Sequence, residues 1–262
     1  MTNSPPPAFS YDPATHMVQP SRSAEGPWSP GFQHGGAPSS LSIWAAEQLA
    51  TLVPMEVASV TVDLMRPVPT TPLMIDAKIV REGKKLQLCS VELLSEGIAV
   101  SRARILKMRV SADRVPGDLA SRPTGITWPA DKEGLPDFHH SGFSRLHDIR
   151  QISGGFRKPG PGQAWFLTEG EIVGGHPVSP AMRVAAAADF GNGVSSNLPF
   201  ADWLFLNADL SLTLARLPRD HWILLDACTE VDDYGRGVTL TRIGDKHGWI
   251  GHATQTLLLE RR

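Results

Sequence analysis

From Pro38 to Ala50, Leu41, Trp44, Ala45, Gln48 and Leu49 recur at helical spacing, with a proline near the start and Ser39 and Ser40 in the first turn, so a helix is expected there. The period then changes. In Met55 to Arg66, Ala58, Val60, Val62 and Leu64 share one parity and Ser59, Thr61 and Asp63 the other, the alternation of a strand with one buried face. Leu73 to Val80, Lys85 to Leu94 and Ile98 to Met108 read as further strands, the last three runs being separated by turns at Gly83 and Gly97. The second half repeats the order: a strand-like Ala164 to Thr168, a helix from Ala181 to about Phe190, and alternating runs beginning near Trp203, Trp222, Val238 and Trp249. Pro38 and Pro180 stand at the helix starts, Arg66 and Arg216 end the first long strands, and Gly97 and Gly248 sit in the last hairpin turns. The spacing between these partners grows only through loops, as a duplicated helix-then-sheet unit with insertions would have it.

One such unit alone would leave a sheet edge and a side of its helix uncovered, so the two are expected to pair in an α+β fold. Residues 1–13, with Pro5, Pro6 and Pro7, are expected to be a flexible N-terminus; 14–112 form the first unit, 113–136 a proline-rich linker and 137–262 the second unit. The composition, 41% hydrophobic and 20% charged with 25 basic against 27 acidic residues, is that of an ordinary soluble globular protein and carries no broad field for nucleic acid. Cys89 and Cys228 form no C-x-x-C and imply neither a disulfide framework nor a zinc ribbon. No apolar run is long enough to span a membrane and no leader is evident, so the expected location is the cytoplasm.

Polar residues in apolar company are where chemistry is sought. The second helix, SPAMRVAAAADFGNG, offers no polar side chain between Arg183 and Asp189, and Asp189 shares a face with Met182, Ala185 and Ala186. A buried carboxylate without a partner is costly and shifts toward the range of a general base. It could equally cap a loop or bridge an arginine, with Asn192 and Gly193 ending the helix. Gln255 has the parity of Ala253, Leu257 and Leu259 and should face the core. Asn207 lies off the apolar parity of Leu204, Leu206, Leu210, Leu212 and Leu214, so alternation points it away from the helix unless a bulge intervenes. His34, Gly35 and Gly36 precede the first helix, where glycines let backbone N–H groups meet a ligand; a tight turn explains them as well.

Other chemistries lack their motifs. G-x-S-x-G, H-E-x-x-H and the P-loop pattern are absent. His139, His140 and His147 cluster beside the linker, where a solvated surface is the expectation rather than a metal site, and no cofactor is called for. Arg216, Arg219, Arg242 and Lys246 could meet an anionic substrate or be exposed strand-edge charges.

Together GPWSPGFQHGGAPSSL, VDLMRPVP followed by REGKKLQL, AAAADFGNG and the closing ATQTLLL resemble the acyl-CoA thioesterase II family and its thioesterase-like relatives over nearly the whole chain after about residue 14. The resemblance implies a double hotdog, in which each half wraps an antiparallel sheet around a long helix and the halves pair into one continuous sheet. It implies hydrolysis of a fatty acyl-CoA, or a related thioester, by a water held at Asp189, Asn207 and Gln255, with Asn207 standing where the family carries a threonine. His34, Gly35 and Gly36 would bind substrate, the acyl tail would lie between helix and sheet, and the protein would be a dimer or higher oligomer. Aligning the helix-start prolines puts Glu47 opposite Asp189, and aligning Gly97 with Gly248 puts Arg104 opposite Gln255, so one site per chain is expected. A non-catalytic acyl-CoA or acyl-carrier binding protein is the alternative. A hotdog hydratase would, by resemblance, have a histidine a few residues after the aspartate, and FGNGVSS contains none.

Overall fold

The computed structural model describes residues 5–111, 123–126, 142–155 and 158–262. Strands β1 (Phe9–Asp12) and β2 (Met17–Pro20) precede helix α1 (Gly36–Glu47), followed by β3 (Met55–Asp63), β4 (Leu73–Arg81), β5 (Leu86–Ser95) and β6 (Ile98–Arg109). The second half runs β7 (His147–Ser153), β8 (Gly162–Thr168), α2 (Pro180–Ala188), the single turn α3 (Gly191–Val194), β9 (Trp203–Asn207), β10 (Asp209–Leu214), β11 (Trp222–Val231), β12 (Arg236–Asp245) and β13 (Gly248–Arg261).

All strands join one 13-stranded sheet in the order β1-β2-β4-β5-β6-β3-β10-β13-β12-β11-β8-β7, with β9 also on β13. Read outward from the β3–β10 pair, the two halves mirror each other strand for strand. This is the expected double hotdog, with α1 and α2 side by side against the sheet. Pairing removes two exposed edges and gives each helix a second apolar neighbour.

Every residue from Gly36 to Ala46 is buried, which requires its serines to be satisfied internally. Ser39, Ser40 and Ser42 donate their hydroxyls to the carbonyls of Gly35, Gly36 and Pro38 at 2.7, 2.7 and 2.8 Å. They are therefore core residues, and the helix starts at Gly36, two residues before the proline the sequence suggests. In α2 the N-cap is Ser179, whose hydroxyl accepts from Met182 N, with Pro180 in the first turn.

Four expectations change. Residues 9–12, within the expected flexible N-terminus, form β1: Phe9 is fully buried, and the N–H groups of Ala8 and Phe9 donate to Glu171 and Ile172 carbonyls. The linker over 113–136 lies mostly outside the described residues; of its described part, Ile126 packs against Trp165, Trp222 and Leu224. The single strand expected from Leu204 to Leu214 is two, because one extra residue enters between Asn207, which faces Leu257, and Ser211, which faces Thr254. The Asp209 carboxylate accepts the Thr256 N–H at 2.7 Å, covering a donor that the ladder leaves out there.

The fourth concerns the alignment of the copies. Ser95–Ile98 and Asp245–Gly248 close equivalent two-residue turns, so Gly97 corresponds to His247 rather than Gly248. Counting along β6 and β13 from these turns places Ile105, a core residue, opposite Gln255; Arg104 is one step off and exposed. The contrast between copies stands on Ile105 instead.

Candidate active site

Helix α2 ends at Ala188, and Asp189 follows as its C-cap with only 2% of its surface exposed. Three elements converge on its carboxylate. Asn207, at the end of β9, donates Nδ2 to Oδ1 at 2.7 Å. Gln255, in the middle of β13 and 1% exposed, donates Nε2 to the Asp189 carbonyl at 3.1 Å and to Oδ1 at 3.4 Å. His34, ahead of α1 in the other half, places Nδ1 2.9 Å from Oδ2. The structure thus brings together Asp189, Asn207, Gln255 and His34. The carboxylate is buried and partnered, by two amides and an imidazole rather than by an arginine.

Asn207 reaches the site because of the bulge. In β10 the even positions Leu210, Leu212 and Leu214 face the core, whereas in β9 the odd positions Phe205 and Asn207 do. One inserted residue reverses the parity.

Asn192, which sequence reasoning used only to end the helix, ties the amides together. Its side-chain NH₂ donates to Asn207 Oδ1 at 2.8 Å and its backbone N–H to Gln255 Oε1 at 3.1 Å. Gln255 therefore spends its amide on Asp189 and Asn192. It fixes the carboxylate from behind.

The glycines are explained by close approach. A Cβ on Gly35 would lie 2.8 and 2.9 Å from the Asp189 carboxylate oxygens, and one on Gly36 would lie 2.8 Å from the Phe143 ring and 3.0 Å from the Ala186 carbonyl. Gly36 is buried, and its N–H is directed at His34 Nδ1 at 3.1 Å; Gly35 alone of the two borders open space. The His34 ring packs on Phe143 and Phe190, with centroids 5.4 and 4.3 Å away.

Two cavities meet at this point, sharing Trp28, His34 and Asn192 on their walls. One, of about 380 Å³, is lined by Phe190, Phe200, Phe205, Leu198 and Pro199. The other, of about 450 Å³, is bordered by Asp189, Asn207, Gly35, Leu64 and Arg66. The apolar space expected between helix and sheet is instead beyond the helix end: Ala185 to Ala188 are fully buried against their neighbours.

His147 is not solvated. It lies in β7, edge-on to Phe143 and Phe190, with Nδ1 3.2 Å from the Thr168 hydroxyl, and burial followed by the nearby His34 charge pushes its imidazole down to about 3. His139 and His140 lie outside the described residues. Among the described residues no three His, Cys, Asp or Glu side chains are grouped to hold a metal ion. Of the basic residues, Arg216 grips Asp245 through both terminal nitrogens at 2.7 Å, Arg242 stacks over Trp249, and Lys246 stands 3.9 Å from Asp220. Burial works to raise Asp245, but the Arg216 guanidinium and the N–H groups of Arg219 and His247 outweigh it and hold the carboxyl below its ordinary value.

The fold defines a tandem hotdog protein with a polar constellation where the end of α2 meets the start of α1. The acyl-CoA thioesterase N-terminal domain matches residues 24–112 and the acyl-CoA thioesterase C-terminal domain residues 116–259, so the chain belongs to the acyl-CoA thioesterase family and, at that level, to the thioester hydrolases. Solved structures share the fold at low identity. A proposed thioesterase from Novosphingobium aromaticivorans DSM 12444 is 18% identical, with 97% of this chain and 99% of that one covered at a TM-score of 0.69. A hot dog protein of unknown function from Alicyclobacillus acidocaldarius is 16% identical over 97% and 96%, TM-score 0.70. The acyl-CoA thioesterase II TesB2 of Mycobacterium marinum is 14% identical over 97% and 95%, TM-score 0.68. Among curated protein sequences, none matches the chain. No helix among the described residues is long and apolar enough to cross a membrane.

Proposed function

We propose that the chain hydrolyses a fatty acyl-CoA to free acid and CoA, with the attacking water held at the Asp189 constellation. The observation that carries this is the place of that constellation: Asp189 and Asn207 border one cavity, and His34 stands on the wall it shares with the second. A thioester needs room on both sides of its carbonyl, an apolar one for the acyl chain and another for the thiol arm. The aromatic cavity supplies the first. Arg66, at the edge of the second, supplies a cation for the phosphates of CoA. Gly35, which borders the second cavity beside the carboxylate, offers a backbone N–H for polarising the carbonyl, while Gln255 and Asn192 keep Asp189 from turning away.

The test is free-thiol release from a panel of acyl-CoAs. Asp189→Asn, shown to be folded, is expected to lower kcat by about 10² to 10⁴-fold, the usual worth of a positioned acid or base group. Parent-like rates in that variant would refute the assignment. Tight binding of a non-hydrolysable analogue with no thiol release by the parent would favour a binding protein instead.

One observation supports a second reading. No histidine follows Asp189 within FGNGVSS, yet His34 comes from the other half to the same carboxylate. Loss of the conjugated enoyl absorbance of a 2-enoyl-CoA, without thiol release, would select it.

A further inference from the structure

We infer that His34 is the catalytic base of the proposed hydrolysis, and that Asp189 acts through it. This rests on the thioester reading above and assigns the proton to a different atom. Both carboxylate oxygens of Asp189 are already engaged: Oδ1 accepts from Asn207 and Gln255, and Oδ2 faces His34 Nδ1 at 2.9 Å with Gly35 pressed beneath. Oδ1 thus accepts twice and Oδ2 faces the imidazole, so the carboxylate has one acceptor site left for a water proton, on the oxygen crowded by Gly35. His34 is 8% exposed, and it is on the wall common to both cavities, where the reacting carbonyl of a substrate spanning them must pass.

One nitrogen cannot serve two opposite roles. Either Nδ1 carries the hydrogen and donates to Asp189, or it offers its lone pair to the Gly36 N–H at 3.1 Å. The second choice would set a lone pair against a carboxylate oxygen at 2.9 Å. The charge-assisted bond to Asp189 is shorter and stronger, and it leaves the lone pair on Nε2. Phe143 and Phe190 both pack on the ring and restrain its orientation.

The step then balances. Water oxygen bonds to the thioester carbon while one water proton passes to Nε2, and the imidazolium stays bonded through Nδ1–H to Asp189. The tetrahedral oxyanion re-forms its carbonyl, the C–S bond breaks, and the Nε2 proton goes to the departing sulfur. The products are a carboxylic acid and a thiol. The titratable groups around His34 are Asp189 after α2, His147 on β7, Glu25 and Lys158 beside the aromatic cavity, and Arg66 beside the other.

The full-length parent and His34→Gln are compared for thiol release across pH, and the parent's histidine tautomers are read by long-range ¹⁵N–¹H NMR. The parent kcat is expected to rise with pH, as a general base requires, with His34 in the Nδ1–H form. H34Q is expected to lose about 10² to 10⁴-fold in kcat with little change in KM, and to lose that rising limb. An H34Q protein within about threefold of the parent, or a parent His34 found in the Nε2–H form, overturns the inference while leaving hydrolysis in place. A parent that releases no thiol from any substrate takes down the hydrolysis reading itself, and the inference with it. The NMR measurement needs no variant, so a misfolded H34Q protein does not rescue the idea.

Discussion

At the end of each buried helix a carboxylate meets the start of the other helix. Asp189 closes α2 and faces His34 and Gly35 before α1; Glu47 closes α1 and accepts the hydroxyl of Ser179, the N-cap of α2, at 2.9 Å. Around Glu47 the partners are a hydroxyl and an ammonium group. Burial pushes its carboxyl up, with Ser179 and Lys107 opposing, and buried Lys107, itself pushed down by burial, spends its ammonium on the Leu49 carbonyl at 3.1 Å. Around Asp189 two amides and an imidazole take those places, beside open cavities. The duplicated framework thus supplies a helix-end carboxylate twice. What its neighbours leave open decides whether it holds helices together or can meet a substrate.

The sharpest way to break this comparison is to neutralise each carboxylate in turn. Where Asp189→Asn is expected to cost orders of magnitude in kcat, Glu47→Gln keeps an oxygen for Ser179 and is expected to leave kcat within about twofold, since its side chain meets no substrate. Equal losses in the two variants would erase the distinction.

The paired arginines come next. Arg216 is locked on Asp245, whereas Arg66, its counterpart, has Ser95 at the position equivalent to Asp245 and borders a cavity. Arg66→Ala is expected to raise KM for an acyl-CoA by about tenfold, the worth of one charge-assisted contact, with kcat kept. The same acyl group on N-acetylcysteamine, which lacks phosphates, should show no change. An equal effect on both substrates would remove Arg66 from phosphate binding.

The smallest effect is on stability. His147 is neutral in the fold, with its pKa near 3, and protonates near 6.5 when unfolded. Between these values the unfolded state binds the extra proton. The stabilising contribution is therefore complete above about pH 6.5 and is lost as pH falls toward 3, at up to about 1.4 kcal/mol per pH unit. His147→Phe should flatten the acid side of a plot of unfolding free energy against pH, measured by urea denaturation. An unchanged slope would mean that His147 is not the buried neutral group.

Much of this could be read from the residues. Alternation and helical spacing reveal two copies, and the parity of Gln255 with Ala253 and Leu257 correctly turns it inward. The β9–β10 bulge was not legible, because parity counting assumes a regular ladder and Asp209 looks like any exposed strand carboxylate. His34 was read only as part of a substrate-binding turn with Gly35 and Gly36. Its contact with Asp189 depends on how two halves pack, which no spacing within one half encodes. Gly97 and Gly248 looked like equivalent turn residues, yet glycine is suited both to a turn position and to the first strand residue after it. Gly97 sits at φ 78° and Gly248 at φ 127°, and the one-residue slip moved Arg104 into the place of Ile105.

The bulge at Ala208 has a further meaning for how such a protein could lose or gain its chemistry. Taking Ala208 into a regular ladder would set it opposite Leu257 in place of Asn207 and roll Asn207 toward solvent. One unpaired residue therefore separates a chain that folds with its amide at the carboxylate from one that folds without it. Loss of the bulge, rather than substitution of the acidic residue, is a route by which a relative could keep the double sheet and fall silent.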